Sequence, residues 1–141
     1  MVNKVFLFLD TESTIVDNER VVYDLSISIV EQNQNISDVE FSKQLRNRNI
    51  HSKKEIFSKL NEKNFLIYEY ADLVPHSKKT TYGYANYYYA SFHNAMNNFK
   101  IMCDYYKPDA IIGYNCQADF EAIRSTQKVL KSCPLVYMSD G

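Results

Sequence analysis

The chain has 141 residues, which is enough for one domain with a hydrophobic core and too few for two. Its formal net charge of −1 excludes a strong general attraction to nucleic acid or membrane surfaces, so a polyanion would need a local patch or bound metal. The three cysteines, Cys103, Cys116 and Cys133, are widely spaced, which argues against a disulfide framework or zinc knuckle and predicts a reducing compartment such as the cytoplasm.

The first predicted element is a strand at residues 5–9, a continuous apolar run typical of a strand covered on both faces. The run ends at Asp10, which is too early for a secretory signal. No other stretch approaches the roughly 20 apolar residues that span a bilayer, so no membrane partner is expected.

Two further strands are predicted in the first third of the chain. After a turn at residues 14–20, apolar and polar side chains alternate over residues 21–32, which predicts a half-buried strand. The polar side of this alternation holds Asp24, Ser26 and Ser28. A weaker strand is expected near residues 39–45, so the sequence predicts an antiparallel three-strand meander.

A helical pattern follows the meander. Ser52 precedes Glu55 by three residues, which is the spacing of a capping box at a helix start. The apolar face of this short helix would consist of Ile56, Phe57 and Leu60.

A longer helix is predicted for residues 85–106, and Pro108 ends it. One buried stripe follows helical spacing and comprises Phe92, Ala95, Met96, Phe99, Met102, Cys103 and Tyr106. Residues 109–115 then predict a short strand, a helix begins at Ala118, and residues 134–138 predict a last strand. This order indicates an α/β fold, a mixed sheet with a parallel portion and covering helices.

Three carboxylates stand where these elements end. Asp10 and Glu12 lie two residues apart after the first strand and therefore share a face. Asp119 follows the 109–115 strand, where open α/β sheets place their ligands. We expect the three to converge and bind Mg²⁺ or Mn²⁺, with at least one raised pKa when no metal is present. Two such ions clamp in-line attack at phosphorus when they lie ~3.5–4 Å apart.

Two segments resemble motifs of one enzyme family. "FLDTEST", residues 8–14, is similar to the first motif of the DEDD-type 3′–5′ exonucleases, which have a ribonuclease H-like fold. "IIGYNCQADFEAI", residues 111–123, is similar to their second motif, in which Asn precedes Asp by four residues. The resemblance implies a ribonuclease H-like fold and hydrolysis of nucleic-acid 3′ ends.

The resemblance also implies roles for individual residues. Asp10 would contact both metal ions, Glu12 the ion on the nucleophile side, and Asp119 the other ion, which makes these three the catalytic set. Thr11, Ser13 and Asn115 would contact nucleic acid, although Asn115 is equally well explained as a turn residue. The substrate is left open between DNA and RNA.

The family's third motif, a His or Tyr shortly before a fourth Asp on a downstream helix, is absent. Only 22 residues follow the second motif's aspartate. Tyr68 with Asp72, and Tyr105 with Asp109, have the local spacing but precede the second motif. We therefore expect residues 1–141 to be a single, incomplete domain that lacks its last helix, with the rest of the protein or a polymerase as partner.

Two alternatives remain open. A haloacid dehalogenase-like phosphatase would explain the first motif loosely, but it requires a helix or cap after that motif instead of a strand. A non-catalytic nucleic-acid-binding or interaction module on the same fold would explain the missing motif. Residues 82–93 are rich in tyrosine and offer rings that either stack on bases or fill the core. The Lys- and Asn-rich composition hints at a phage.

Overall fold

The computed structural model describes residues 4–32, 57–74, 87–113 and 115–131. Its strands form one mixed sheet in the order β4-β3-β2-β1-β5. The elements are β1 (Val5–Val16), β2 (Glu19–Gln32), β3 (Phe57–Ile67), a 3-10 helix (Tyr68–Leu73), β4 (Tyr88–Ala90), α1 (Phe92–Tyr106), β5 (Ala110–Ile112) and α2 (Cys116–Leu130). The predicted α/β class and mixed sheet are confirmed.

Strands β1 and β2 form a tight antiparallel hairpin. Asp17 and Asn18 make the turn with φ values of 50° and 66°, the left-handed pair that suits a two-residue hairpin. The predicted turn at residues 14–20 is therefore too long, because both strands continue up to these two residues.

Both faces of β2 are buried over residues 21–25, so the prediction of a half-buried strand is wrong for this part of the strand. Its apolar face is buried as expected, but Asp24 is also only 5% exposed. The register of β1 and β2 shifts between Glu12 and Ser13, where Tyr23 is the extra residue of a bulge. β2 also lies between β1 and β3, so neighbouring strands cover both of its edges.

The third strand of the meander is β3, which pairs antiparallel with β2. The segment expected to form it, residues 39–45, lies outside the described residues, as do Ser52, Glu55 and Ile56. Phe57 and Leu60 belong to β3, so the helix predicted for them is wrong. Pairing with β2 outweighs a local helical pattern here, because strand preference depends mainly on neighbouring strands and burial.

Helix α1 confirms the predicted buried stripe but starts later than expected. Ser91 caps its first turn by accepting from the Asn94 N–H, and the Glu69 carboxylate accepts from the Phe92 N–H at 2.9 Å. The preceding Tyr88–Ala90 is strand β4, parallel to β3, where the sequence predicted helix. The helix ends at Tyr106, shortly before Pro108.

Strand β5 lies parallel to β1, with Phe6 to Phe8 opposite Ala110 to Ile112. This pair supplies the predicted parallel portion of the sheet and places β1 inside it. Helix α2 follows directly, and the strand predicted at residues 134–138 lies outside the described residues. The main core lies between one face of the sheet and both helices, and its largest side chains include Leu7, Leu9, Leu25, Ile27, Phe92, Phe99 and Ile123.

In the part of the chain that the structure describes, neither helix combines the length and the apolar character needed to cross a membrane.

Candidate active site

The carboxylates of the first motif stand near the middle of β1, beyond the point where its pairing with β5 ends. Alternation along the strand puts Asp10 and Glu12 on one face, and Thr11 on the face covered by the helices. Asp10 is exposed, whereas Glu12 and Thr11 are half-buried. The two acids therefore lie on the side of the sheet opposite the main core.

Asp119 lies against Thr11. Its Oδ1 accepts a hydrogen bond of 2.6 Å from the Thr11 hydroxyl and one of 3.2 Å from the Thr11 backbone N–H. The β1–β5 ladder ends at the Phe8–Ile112 pair, so this carboxylate takes the place of a strand partner farther along β1. The structure thereby brings Asp119 to the residue between Asp10 and Glu12, from the opposite side of the sheet.

A tight connection between β5 and α2 delivers Asp119 to this position. A Cβ at Gly113 would lie 2.9 Å from the Leu9 carbonyl oxygen and 3.2 Å from Asp119 Oδ2, so only glycine fits between β1 and α2. Asn115 is the N-cap of α2 and accepts from the Ala118 N–H at 3.4 Å. The second motif therefore has a local structural role besides any role in binding.

Burial is the main reason that the pKa of Asp119 is raised above its usual value. The two hydrogen bonds from Thr11 oppose this shift, and the negative charge of Glu12 adds to it. The expectation of a raised pKa among the three carboxylates is confirmed for Asp119. Desolvation is the largest cause of the shift, and repulsion between like charges is a smaller one.

A second set of polar groups faces Asp10 and Glu12 from neighbouring strands, and sequence reasoning missed it. Ser26 is directly opposite Asp10 in the register, and Asp24 is opposite Glu12. The Tyr87 hydroxyl lies 3.1 Å from Ser26 Oγ. Alternation placed Asp24 and Ser26 together on one face of β2, but no sequence signal distinguished Tyr87 from its neighbouring tyrosines.

The Tyr87 hydroxyl is close enough to the acidic side chains for their charges to raise its pKa. Burial raises its pKa most, and the charges of Asp24, Asp10 and Glu12 raise it further, while the hydrogen bond with Ser26 lowers it. The face of the sheet that bears Asp10 and Glu12 thus also bears Asp24 and the Tyr87 phenol.

The residues predicted to contact nucleic acid also have partners within the protein. Thr11 donates to Asp119, and Asn115 caps α2. Ser13 Oγ accepts from the guanidinium of Arg20, a residue of β2, at 3.0 Å, which places a positive charge beside Ser13. Their contact with nucleic acid stays a prediction.

Neither tyrosine–aspartate pair with third-motif spacing belongs to this site. The Asp109 carboxylate accepts from the Val5 N–H at 2.8 Å, at the opposite end of the β1–β5 ladder. Six residues along a strand separate Val5 from Thr11, about 20 Å. Tyr68 and Asp72 lie on the exposed side of the 3-10 helix.

The acidic residues of the site have the chemistry of a metal centre but are not gathered into one. Within the described ranges, no three His, Cys, Asp or Glu side chains are grouped so that they could jointly hold an ion. The donor chemistry nevertheless fits Mg²⁺ or Mn²⁺, because carboxylate oxygens are the preferred ligands. Glu12 also raises the pKa of Asp119, an unfavourable interaction that a cation would relieve.

Comparison with protein-family models finds no match to this chain, and comparison with curated proteins finds none either. The function is therefore inferred from the residues of the site and from the motifs themselves.

Proposed function

We propose that this protein is a divalent-metal-dependent 3′–5′ exonuclease of the DEDD type that hydrolyses phosphodiester bonds at nucleic-acid 3′ ends. The observation that carries this proposal is the pair of hydrogen bonds between Asp119 and Thr11. They join the two motif-bearing segments, 108 residues apart in sequence, at the residue flanked by Asp10 and Glu12.

The sheet supports the ribonuclease H-like part of the proposal. Three antiparallel strands are followed, on the other side of β1, by a parallel strand that leads into a helix. This is the layout that the motif resemblance implies. The segment after the first motif is strand β2, which weighs against the phosphatase alternative because that alternative requires a helix or cap there.

The proposed chemistry assigns the metal ligands to Asp10, Glu12 and Asp119. Bound Mg²⁺ or Mn²⁺ would activate the attacking water and neutralise charge on the leaving oxygen. The ligand carboxylates would hold the ions, and Thr11 fixes the orientation of Asp119. Ser13 and the Arg20 that donates to it would contact the sugar–phosphate backbone.

We expect weak cleavage at most from these 141 residues alone. General-base assistance is typically worth ~10²–10⁴-fold in rate, and the sequence has no His or Tyr at the family's third-motif position.

A 5′-labelled single-stranded oligonucleotide incubated with the protein and Mn²⁺ tests the proposal. The expected result is a ladder that shortens from the 3′ end and disappears in Asp10→Asn. Asp17→Asn is the matched control, because it removes one carboxylate at a hairpin position whose φ of 50° suits asparagine. Parallel DNA and RNA substrates identify the substrate class.

Other outcomes decide between the alternatives. Hydrolysis of small phosphate esters with no shortening of the oligonucleotide would favour the phosphatase. Tight binding of single strands with no cleavage would favour the non-catalytic module. Calorimetric titration of Mn²⁺ gives an independent readout, and equal affinity of wild type and Asp10→Asn would remove Asp10 from the ligand set.

A further inference from the structure

Tyr87 reaches the candidate site from the β4 edge of the sheet. Strand β4 begins at the next residue, and β3 lies between β4 and β2. The Tyr87 hydroxyl nevertheless lies 3.1 Å from Ser26 Oγ on β2, so the half-buried side chain crosses β3. The side chain therefore points toward β1 and its carboxylates.

The strand register places Ser26, which this hydroxyl contacts, opposite Asp10. Ser26 and Asp10 are direct cross-strand partners, and such side chains have Cβ atoms ≈ 4.5–5.5 Å apart on the same face. The partner of Ser26 on the other side is Asn64 of β3. Ser26 thus stands between the Tyr87 hydroxyl and the first carboxylate of the motif.

We propose that Tyr87 binds the substrate, with its hydroxyl donating a hydrogen bond to a non-bridging oxygen of the scissile phosphodiester while Ser26 holds the phenol in place. The inference rests on the proposed exonuclease function and assigns a substrate contact that neither motif contains. Either hydroxyl of the Ser26–Tyr87 pair can be the donor. In the complex, Ser26 donates to Tyr87 and Tyr87 donates to the phosphate.

A neutral donor suits this position. A phosphodiester entering beside Asp10 and Glu12 is repelled by their charges until metal is bound, and a phenol adds no further negative charge. Burial, reinforced by the charges of Asp24, Asp10 and Glu12, holds the pKa of Tyr87 above its usual value. Tyr87 therefore keeps its proton at neutral pH, and no proton transfer is assigned to it.

The test compares Tyr87→Phe with Tyr88→Phe in the 3′-end assay with Mn²⁺. Tyr88 is the adjacent residue and is 67% exposed, so this control loses a solvent-facing hydroxyl. We expect Tyr87→Phe to lower kcat/KM by about 10- to 100-fold, the range for a hydrogen bond to a charged group. Tyr88→Phe should match wild type, and Ser26→Ala should fall between them.

A thio substitution separates substrate contact from a merely structural role. Replacing the contacted non-bridging oxygen with sulfur should slow wild type more than it slows Tyr87→Phe, which has already lost the hydrogen bond. If sulfur at either non-bridging position slowed wild type and Tyr87→Phe equally, the inference would be overturned. So would wild-type kinetics for Tyr87→Phe in a preparation whose Asp10→Asn variant is inactive, and the exonuclease proposal would survive that result.

Binding replaces cleavage as the readout if wild type does not shorten the oligonucleotide. Fluorescence anisotropy of a labelled single strand with Mg²⁺ then measures affinity directly. Weaker binding by Tyr87→Phe than by wild type and Tyr88→Phe would retain the phosphate contact and favour the non-catalytic module. Equal binding by all three would discard the contact, and absence of binding by wild type would discard both.

Discussion

Asp119 and Thr11 are joined by two hydrogen bonds that share one carboxylate oxygen, 2.6 Å from the Thr11 hydroxyl and 3.2 Å from its backbone N–H. Asp119 Oδ1 thereby accepts from a β1 amide that lies beyond the end of β5. The same oxygen also fixes the Thr11 side chain, which lies between Asp10 and Glu12 in the sequence. The same residue is the proposed ligand of a metal ion. Structural and chemical roles of this carboxylate can be separated by substitution.

Asp119→Asn should keep the fold and lose activity. The amide oxygen can accept both hydrogen bonds from Thr11, while the charge needed for metal binding is lost. Asp119→Ala removes the acceptor and leaves a half-buried N–H and hydroxyl unpaired, which should lower the free energy of unfolding by about 1–3 kcal/mol. Urea denaturation measures both variants, and equal destabilisation of the two would contradict this account.

The raised pKa of Asp119 predicts a pH dependence of stability in the metal-free protein. The folded state binds this proton more tightly than the unfolded state, whose value is near 3.8. Its favourable contribution is therefore complete below the unfolded pKa and is lost as pH rises through the folded pKa. As the pH rises from about 3 to 7, the free energy of unfolding of wild type should fall relative to that of Asp119→Asn. A difference that is constant or rises with pH would contradict the shift.

Gly113→Ala should destabilise the connection between β5 and α2. The new Cβ would lie 2.8 Å from Cys116 Sγ and 2.9 Å from the Leu9 carbonyl oxygen, and the carbonyl cannot move without disturbing β1. We expect a loss of about 1–3 kcal/mol in the free energy of unfolding. Adding Cys116→Ala should recover only part of this loss, because the Leu9 contact remains. Full recovery would show that the sulfur contact alone causes the strain.

Thr126→Val should destabilise the packing of α2 on β2. The buried Thr126 hydroxyl accepts from the Val22 N–H at 3.0 Å and donates to the Ala122 carbonyl at 2.6 Å. Valine preserves the shape but leaves the Val22 N–H without this acceptor, at a cost of about 1–3 kcal/mol. Thr126→Ser keeps the hydroxyl and should lose less stability. Thermal unfolding of both variants tests this order, and a more stable valine variant would contradict it.

Local patterns predicted the elements that carry a strong apolar signal of their own. The buried stripe of α1 is of this kind, and so are the apolar runs of β1 and β5. A parallel portion of the sheet followed from the rules of chain connection. Strand β3 was missed because its pairing with β2 is a tertiary effect with weak local signal. Tyr87 was missed for a related reason: only the sheet order brings its hydroxyl to Ser26. The shared face of Asp10 and Glu12 was predictable because they lie two residues apart on one strand, whereas the hydrogen bonds from Thr11 to Asp119 depend on the docking of α2.

The hydrogen bond from the Thr11 N–H to Asp119 makes this amide proton a reporter of the docking of α2 on the sheet. Its acceptor is a side chain on α2, not a neighbouring strand, so its protection from hydrogen exchange depends on the docking of a helix 108 residues away. Amides of β1 that pair with β2 belong to a local hairpin and remain protected when α2 alone opens. Exchange at Thr11 therefore follows the opening of the candidate site separately from the unfolding of the sheet.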